Sequence, residues 1–180
     1  METVKLVLVF YCMAFIPVVL GTGRKGNYSL SVAEFVKNTV QEMGHETDLV
    51  DPKDHVVSPF TERVGKEADR ESAWQAIAKR ADAFVFVTPE YNRGIPGELK
   101  LLVDQLYGEY AGKFAAICGV SSGDMGGDRA VEALRLVLLG VEMFPIKKAV
   151  YFKNIENAKL EDHKGHVEDT INALVKYTKT

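Results

Sequence analysis

Apolar and polar positions fall into blocks along the chain, and the length and period of each block distinguish strands from helices. Short runs without a polar position, such as Ala83–Val87, are typical of strands buried on both faces of a parallel sheet. Longer segments with apolar residues three and four positions apart are typical of amphipathic helices. The pattern predicts strands at residues 15–20, 45–50, 83–87, 113–120 and, as a last strand divided by Pro145, 141–144 and 149–152. It predicts helices at residues 30–40, 67–81, 98–107, 128–139 and 159–177.

Strands that alternate with helices predict an α/β fold, a doubly wound parallel sheet of five strands in a three-layer α/β/α arrangement. The stretch Val4–Leu20 is apolar enough to resemble the core of a signal segment, but Glu2 offsets Lys5, Pro17 interrupts the run and no small-residue cleavage site follows. We therefore expect one domain over residues 15–180, preceded by an extension of unknown role over residues 1–14. Residues 53–66 carry few core positions and are predicted to form a long loop.

Composition and charge limit the kinds of partner and metal site that this protein is expected to have. Hydrophobic residues make up 47% of the chain and charged residues 26%, which is typical of a globular domain. A formal net charge of −3 gives no general attraction to nucleic acid or to an anionic membrane, so we expect neither partner and expect any anion site to be local.

Cys12 and Cys118 form no metal-binding pattern, which fits a reducing, cytoplasmic location. His163 and His166 have no third ligand nearby and are predicted to face solvent.

The loop after the first predicted strand runs from Gly21 to Ser29 and leads into a helix. A glycine-rich turn before a helix presents backbone amides and the positive helix end to one point, which suits a phosphate. Donor side chains in this loop are Thr22, Arg24, Asn27 and Ser29. An ordinary strand-to-helix turn has a similar composition, and the spacing of the glycines also matches the weak dinucleotide fingerprint.

Two further loops, residues 88–97 and 121–127, follow the third and fourth predicted strands. Because the carboxyl ends of parallel strands meet at one edge of a sheet, all three loops are expected to converge. The second loop offers backbone amides between Pro89 and Ile95, and Tyr91 as a ring that can lie against a ligand, whereas Glu90 and Arg93 can equally be solvated loop charges. Together the loops suit a ligand with a phosphate at one end and a flat heteroaromatic ring at the other.

Three motifs resemble the signatures of a known family. They are Gly21-Thr22-x-Arg24-x-x-x-x-Ser29, Thr88-Pro89-Glu90-Tyr91-Asn92-x-Gly94-Ile95-Pro96-Gly97-x-Leu99-Lys100 and Ser122-Gly123-x-x-Gly126-Gly127. They look like those of the NAD(P)H-dependent FMN reductases, flavodoxin-like flavoproteins that include quinone, azo and chromate reductases. The family commonly carries Ser and then Asn where this chain has Asn27 and Ser29, and its chains usually start at the first strand.

The resemblance implies a flavodoxin-like fold, FMN as cofactor and NADPH or NADH as cosubstrate. It implies that the FMN phosphate is bound by Thr22, Arg24, Asn27, Tyr28 and Ser29. It places the following residues around the isoalloxazine: Pro89, Glu90, Tyr91, Asn92, Gly94, Ile95, Ser122 and Gly123.

The implied reaction passes hydride through FMN to a quinone-like, flavin, azo or metal-oxyanion acceptor without a catalytic side chain. The family usually forms homodimers or homotetramers. The alternatives are a flavodoxin-type electron carrier without pyridine-nucleotide turnover, and a phosphate-ligand module or hydrolase on the same fold.

Overall fold

The structure, a computed structural model, describes residues 13–56 and 72–178 of the 180-residue chain. Its centre is a sheet of five parallel strands in the order β2-β1-β3-β4-β5. The strands are β1 (Val18–Leu20), β2 (Leu49–Val50), β3 (Ala83–Pro89), β4 (Phe114–Val120) and β5 (Phe144–Phe152). This topology confirms the predicted doubly wound parallel sheet.

Helices cover both faces of the sheet. They are α1 (Ser29–Glu42), α2 (Pro52–His55), α3 (Ala73–Arg80), α4 (Gly97–Asp104), α5 (Asp128–Gly140) and α6 (Lys164–Val175). Single turns of 3₁₀ helix lie at Gly108–Tyr110 and Leu160–His163. One buried apolar cluster joins the sheet to α1 and α6, and a second joins its other face to α3, α4 and α5. The three layers are therefore α/β/α, as predicted.

The central strand β3 shows why its sequence has no polar alternation. All seven of its residues are buried. Val85 and Val87 belong to the cluster with α1 and α6, whereas Phe84 and Phe86 belong to the cluster with α3, α4 and α5. Because both faces of the strand are covered, the run Ala83–Val87 is apolar at every position, and the buried Thr88 that follows satisfies its hydroxyl by donating to the Pro89 carbonyl (3.0 Å).

The last strand corrects the sequence-based prediction. Phe144–Phe152 is one strand, and the predicted segment at 141–143 belongs to the turn after α5. Pro145 is tolerated because β5 lies at the edge of the sheet, where a missing backbone N–H disrupts least. The pairing register shifts next to it, and Arg135 donates from Nη1 to the Ile146 carbonyl (2.6 Å) and from Nη2 to the Lys147 carbonyl (2.9 Å). The guanidinium thus satisfies carbonyls at the irregular pairing.

Several boundaries also differ from the predictions. The predicted loop at 53–66 begins inside helix α2, which Asp51 caps by accepting from the Lys53 N–H (2.9 Å). Helix α3 begins after Ser72, whose hydroxyl caps it by accepting from the Gln75 N–H (3.1 Å). Helix α4 ends at Asp104, because residues 105–107 form a turn and a bend, and α6 begins at Lys164, because Leu160–His163 form a 3₁₀ turn. The rest of the predicted 53–66 loop and most of the predicted 1–14 extension lie outside the described residues.

Over the ranges 13–56 and 72–178, no helix combines the length and the apolar character that crossing a bilayer requires.

Candidate functional site

A cleft of about 390 Å³ opens at the carboxyl ends of the strands, where the loops after β1, β3, β4 and β5 meet. Strands β1 and β3 are neighbours although β2 lies between them in sequence, so the cleft lies at the point where strand order reverses. The predicted convergence of the three loops is therefore observed. The cleft is lined by Arg24, Lys25, Gly26, Asn27, Tyr28, Ser29, Pro89, Glu90, Tyr91, Val120, Ser121, Ser122, Ile155 and Glu156.

The first loop is held against the sheet at its start and against the helix at its end. The Gly21 N–H donates to the Val87 carbonyl (2.7 Å), and a Cβ at Gly21 would lie 2.8 Å from that oxygen, so a larger residue would push the loop off β3. At the other end, Asn27 Oδ1 accepts from the Leu30 N–H (2.8 Å) and Asn27 Nδ2 donates to the Arg24 carbonyl (2.6 Å). Asn27 thereby shapes the loop and caps the start of α1.

The first loop also carries two exposed positive charges at the cleft. Arg24 and Lys25 are exposed at the cleft, and among the described residues no carboxylate lies within ion-pair distance of either side chain. The Arg24 guanidinium lies 5.7 Å from the centroid of the Tyr91 ring. Ser29 is 1% exposed and lines the cleft, and no described residue hydrogen-bonds its hydroxyl. Two cations, an available hydroxyl and the N-terminus of α1 are the groups that suit an anion.

Thr22 occupies a different place from the other predicted phosphate ligands. It is fully buried behind the cleft, and its hydroxyl donates to Glu98 Oε1 on α4 (2.7 Å). The Arg24 N–H donates to the same hydroxyl (3.2 Å), and the Tyr91 hydroxyl lies 3.1 Å away. Phosphate binding by Thr22 stays a prediction.

The second loop contains a tight turn with two residues in left-handed conformations. Tyr91 and Gly94 exchange both backbone hydrogen bonds, each 3.0 Å long. Between them Asn92 has φ 50° and Arg93 φ 67°, which is the geometry of a type I′ turn. Left-handed backbone is strained for arginine, and the two hydrogen bonds between Tyr91 and Gly94 hold the turn in this conformation.

Some of the residues predicted to surround the isoalloxazine, called the ring-site residues below, reach the cleft and others do not. Pro89, Glu90 and Tyr91 line it. The remaining predicted ring-site residues of this loop lie outside the lining; they are Asn92, Gly94 and Ile95.

Glu90 is a link between loops. Its carboxylate accepts from the Arg129 N–H at the start of α5 (3.3 Å) and from Arg129 Nη1 (3.2 Å). A carboxylate at a helix N-terminus is stabilised by the helix dipole as well as by the ion pair. The alternative of a merely solvated charge is wrong for Glu90, whereas the Arg93 side chain is exposed.

The third loop is bonded to a fourth loop that follows β5. The Ser121 hydroxyl donates to the Gly123 carbonyl (3.0 Å), which also accepts from the Asn154 N–H (3.1 Å). The Ile155 N–H donates to the Ser121 carbonyl (3.1 Å). Ser122 lines the cleft, whereas Gly123 serves this loop-to-loop contact and lies outside the lining.

Sequence reasoning missed several lining residues: Lys25, Gly26, Val120, Ser121, Ile155 and Glu156. Ile155 and Glu156 could have been predicted, because they follow the last strand and therefore lie at the same edge of the sheet as the other loops. Glu98 was missed because it lies on a helix and reaches the first loop only in three dimensions.

Metal binding finds no support within the described ranges, where no group of three or more potential ligands comes together. The prediction that His163 faces solvent is wrong, since this side chain is half-buried and its ring centroid lies 4.5 Å from that of Phe152. Burial, and then the neighbouring His166, lower the pKa of His163.

A family model described as NADPH-dependent FMN reductase matches residues 16–157, which include all four loops of the cleft. This chain belongs to the NADPH-dependent FMN reductase family. The resemblance of the three motifs is thereby confirmed, and the chain is placed among oxidoreductases.

Curated relatives of this FMN reductase family member agree with that assignment. The chain is 30% identical over 146 residues to a protein of Saccharomyces cerevisiae named NAD(P)H-dependent FMN reductase, covering 70% of this chain and 74% of the relative. It is 34% identical over 136 residues to a protein of Pseudomonas putida named quinone reductase, covering 71% of each. A protein of Bacillus sp. named NADPH azoreductase is 28% identical over 168 residues, covering 89% of this chain and 90% of the relative.

Solved structures support the flavodoxin-like fold. The flavoenzyme NAD(P)H:(acceptor) oxidoreductase FerB of Paracoccus denitrificans superposes with a TM-score of 0.73 at 23% identity, covering 93% of this chain and 98% of that one. A flavodoxin of Pseudomonas aeruginosa superposes with a TM-score of 0.65 at 16% identity, covering 89% and 98%. At these identities the likeness concerns the fold alone.

Proposed function

We propose that this protein is an FMN-dependent oxidoreductase that accepts hydride from NADPH or NADH and reduces a quinone-like acceptor. The observation that carries the proposal is the charge pattern of the cleft. Arg24 and Lys25 lie at the N-terminus of α1 without an ion-pair partner in the described part of the chain, and Tyr91 with the loop after β3 lies beside them. That arrangement fits a ligand with an anionic end and a flat end. Family membership supports FMN as that ligand.

The phosphate end is assigned to the first loop. Arg24 and Ser29 offer side-chain donors that no described residue uses, and Asn27 holds the loop in shape through its contacts with the Arg24 carbonyl and the Leu30 N–H. Tyr28 is 50% exposed on the rim and can close over a bound group. A charge-assisted pair of donors from one guanidinium is the strongest single contact available here.

The ring end is assigned to the second and third loops. Pro89, Tyr91 and Ser122 would contact the isoalloxazine directly, while Glu90 fixes the second loop to α5. The other ring-site residues supply backbone shape behind this surface; they are Asn92, Gly94, Ile95 and Gly123.

FMN, when bound, supplies the hydride chemistry. The protein's part is to bind the cofactor, to hold its ring at the open mouth of the cleft and to set the distance to the incoming nicotinamide and acceptor. No titratable side chain is assigned a proton transfer. Relatives named quinone reductase and NADPH azoreductase support quinones first and azo compounds second as acceptors, with free flavins and metal oxyanions as further classes to test.

We also propose that the protein forms a homodimer or homotetramer in the cytoplasm. Most apolar residues of α4 and α5 are buried against the sheet within one chain. Leu136 and Leu139 on α5, and Tyr107 after α4, keep 73%, 51% and 57% of their surfaces exposed. These side chains are available for contact between subunits, and light scattering of the purified protein measures the assembly.

One purification tests the main proposal. Purified protein is expected to be yellow and to release FMN on heating, and it is expected to oxidise NADPH or NADH faster when a benzoquinone is present. Bound FMN without nicotinamide oxidation would support the flavodoxin-type carrier instead. A colourless protein that binds no added FMN would overturn both.

A further inference from the structure

Glu98 contacts the first loop from behind although it does not line the cleft. It lies in the first turn of α4, and its Oε1 accepts from the Thr22 hydroxyl (2.7 Å) and from the Gly23 N–H (3.3 Å). Among the described residues no cation lies within ion-pair distance of this carboxylate. Both hydrogen bonds that Glu98 Oε1 accepts therefore come from the first loop.

The hydrogen bonds of the Thr22 hydroxyl can be assigned completely. A hydroxyl has one proton to donate and two lone pairs to accept with. The proton goes to Glu98, since an ionised carboxylate only accepts, and one lone pair accepts from the Arg24 N–H (3.2 Å). The Tyr91 hydroxyl at 3.1 Å must then donate to the other lone pair. Glu98 thus determines the direction of the hydrogen bond between Thr22 and Tyr91.

We propose that Glu98 is a positioning residue for the flavin site, acting through Thr22. By taking the Thr22 proton it leaves Thr22 as an acceptor for Tyr91, which holds the Tyr91 ring at the cleft wall, and it fixes the Arg24 amide at the entrance of the first loop. Thr22 is accordingly the buried junction between the phosphate loop, the ring loop and α4. This inference rests on the proposed function, because the ligand being positioned is FMN.

The Glu98 carboxylate provides both a hydrogen-bond acceptor and a negative charge, and two substitutions separate the effects of these two properties on FMN binding. Glu98→Gln keeps a side-chain oxygen that can accept from Thr22 and Gly23, and it removes a negative charge beside an anion site. We expect Glu98→Gln to bind FMN as tightly as the wild-type protein or more tightly. Glu98→Ala removes the acceptor, frees the Thr22 proton and loosens Tyr91, and we expect FMN binding about fivefold to tenfold weaker.

The experiment measures FMN dissociation constants by flavin fluorescence quenching on apoproteins, together with the visible circular dichroism of bound FMN. The variants are Glu98→Gln, Glu98→Ala, Thr22→Val and the double variant Glu98→Ala/Thr22→Val. Asp104→Ala is the matched control, because Asp104 is a carboxylate on the same helix that pairs with Lys100. A positioning role predicts an altered dichroism signal in Glu98→Ala that Glu98→Gln restores.

The double variant tests whether Glu98 acts through Thr22, because the effects of two substitutions on one chain of contacts are not additive. We expect Glu98→Ala to weaken FMN binding much less in the Thr22→Val background than in the wild-type protein, because only the 3.3 Å contact with the Gly23 N–H then remains to be lost, and we expect urea unfolding of the apoproteins to show the same non-additivity without FMN. Additive losses, wild-type affinity and dichroism in Glu98→Ala, or a Glu98→Gln variant as weak as Glu98→Ala would each overturn the inference. If the wild-type protein binds no FMN, the proposed function fails instead, and with it the flavin role of Glu98.

Discussion

The loop after β1 and the loop after β3 lie side by side at the same sheet edge, but they differ in the hydrogen bonds and ion pairs that their charged side chains make. In the first loop Arg24 and Lys25 have no carboxylate within ion-pair distance in the described structure. In the second, Glu90 is bonded to Arg129 and to the start of α5, and the backbone is closed into a hydrogen-bonded turn. The first loop leaves donors for a ligand, whereas the second bonds its carboxylate and closes its backbone, leaving Arg93 exposed at the turn, and so provides a shaped wall. A site for an anionic group and a flat ring needs both.

The largest expected effect comes from removing the Arg24 guanidinium of the first loop. Arg24→Ala is expected to weaken FMN binding by about tenfold to a hundredfold, because one charged hydrogen-bonding partner of the phosphate is lost. Isothermal titration of the apoprotein with FMN measures the change. Lys147→Ala, which removes an exposed lysine of β5 outside the cleft, is the control and should bind normally. Equal affinities of Arg24→Ala and wild type would remove the phosphate assignment.

A smaller effect is expected from the link between the second loop and α5. Glu90→Gln keeps the size of the side chain but weakens the contacts to Arg129, and we expect a loss of about 0.5–1 kcal/mol in the free energy of unfolding. Urea unfolding measures this loss. In an Arg129→Ala background the same substitution should cost less, since one of its two contacts has gone. An undiminished cost in that background would show that the Arg129 side chain is not the partner that matters.

The strained turn predicts a gain of stability. Arg93→Gly places a residue without a Cβ at φ 67°, and we expect a gain of about 0.5–1 kcal/mol in the free energy of unfolding. Asn92→Gly is the matched comparison at φ 50°, and it should gain less because asparagine tolerates this region better. Urea unfolding of both variants tests the ranking. Destabilisation by Arg93→Gly would mean that the arginine side chain contributes more than its backbone strain costs.

The smallest expected effect concerns Cys118, which is fully buried in β4. Burial raises the pKa of its thiol to about 12, so almost no thiolate forms near neutral pH. In a Cys12→Ser background, Cys118 should not react with a thiol-specific chromogenic reagent at pH 8 until the protein is unfolded. Above the ordinary thiol pKa the unfolded chain loses a proton that the native state retains, so this residue also lowers stability as the pH rises. Rapid reaction of the native protein would contradict the buried position.

The sequence predicted the strands that are buried on both faces and the loops that follow them with good accuracy, because local pattern carries that information. Ala83–Val87 could hardly be anything but an interior strand, and the glycines after β1 had to form a turn. It failed at Pro145 and at residues 160–163, where a proline or a polar start allows more than one local structure. At Pro145 the outcome depends on β5 being an edge strand, and no single segment reveals which strand lies at the edge.

By itself, then, the chain determined the α/β class, the convergence of the loops at one edge and, through its motifs, the family. Only the tertiary structure decided what each polar side chain does there. Thr22 and Ser29 are both hydroxyl residues of one loop, but packing turns Thr22 toward Glu98, 76 positions away, and leaves Ser29 at the cleft. The sequence shows which hydrogen-bond donors and acceptors the loops contain. Their partners depend on distances between segments far apart in the chain, and those distances are set only when the layers pack.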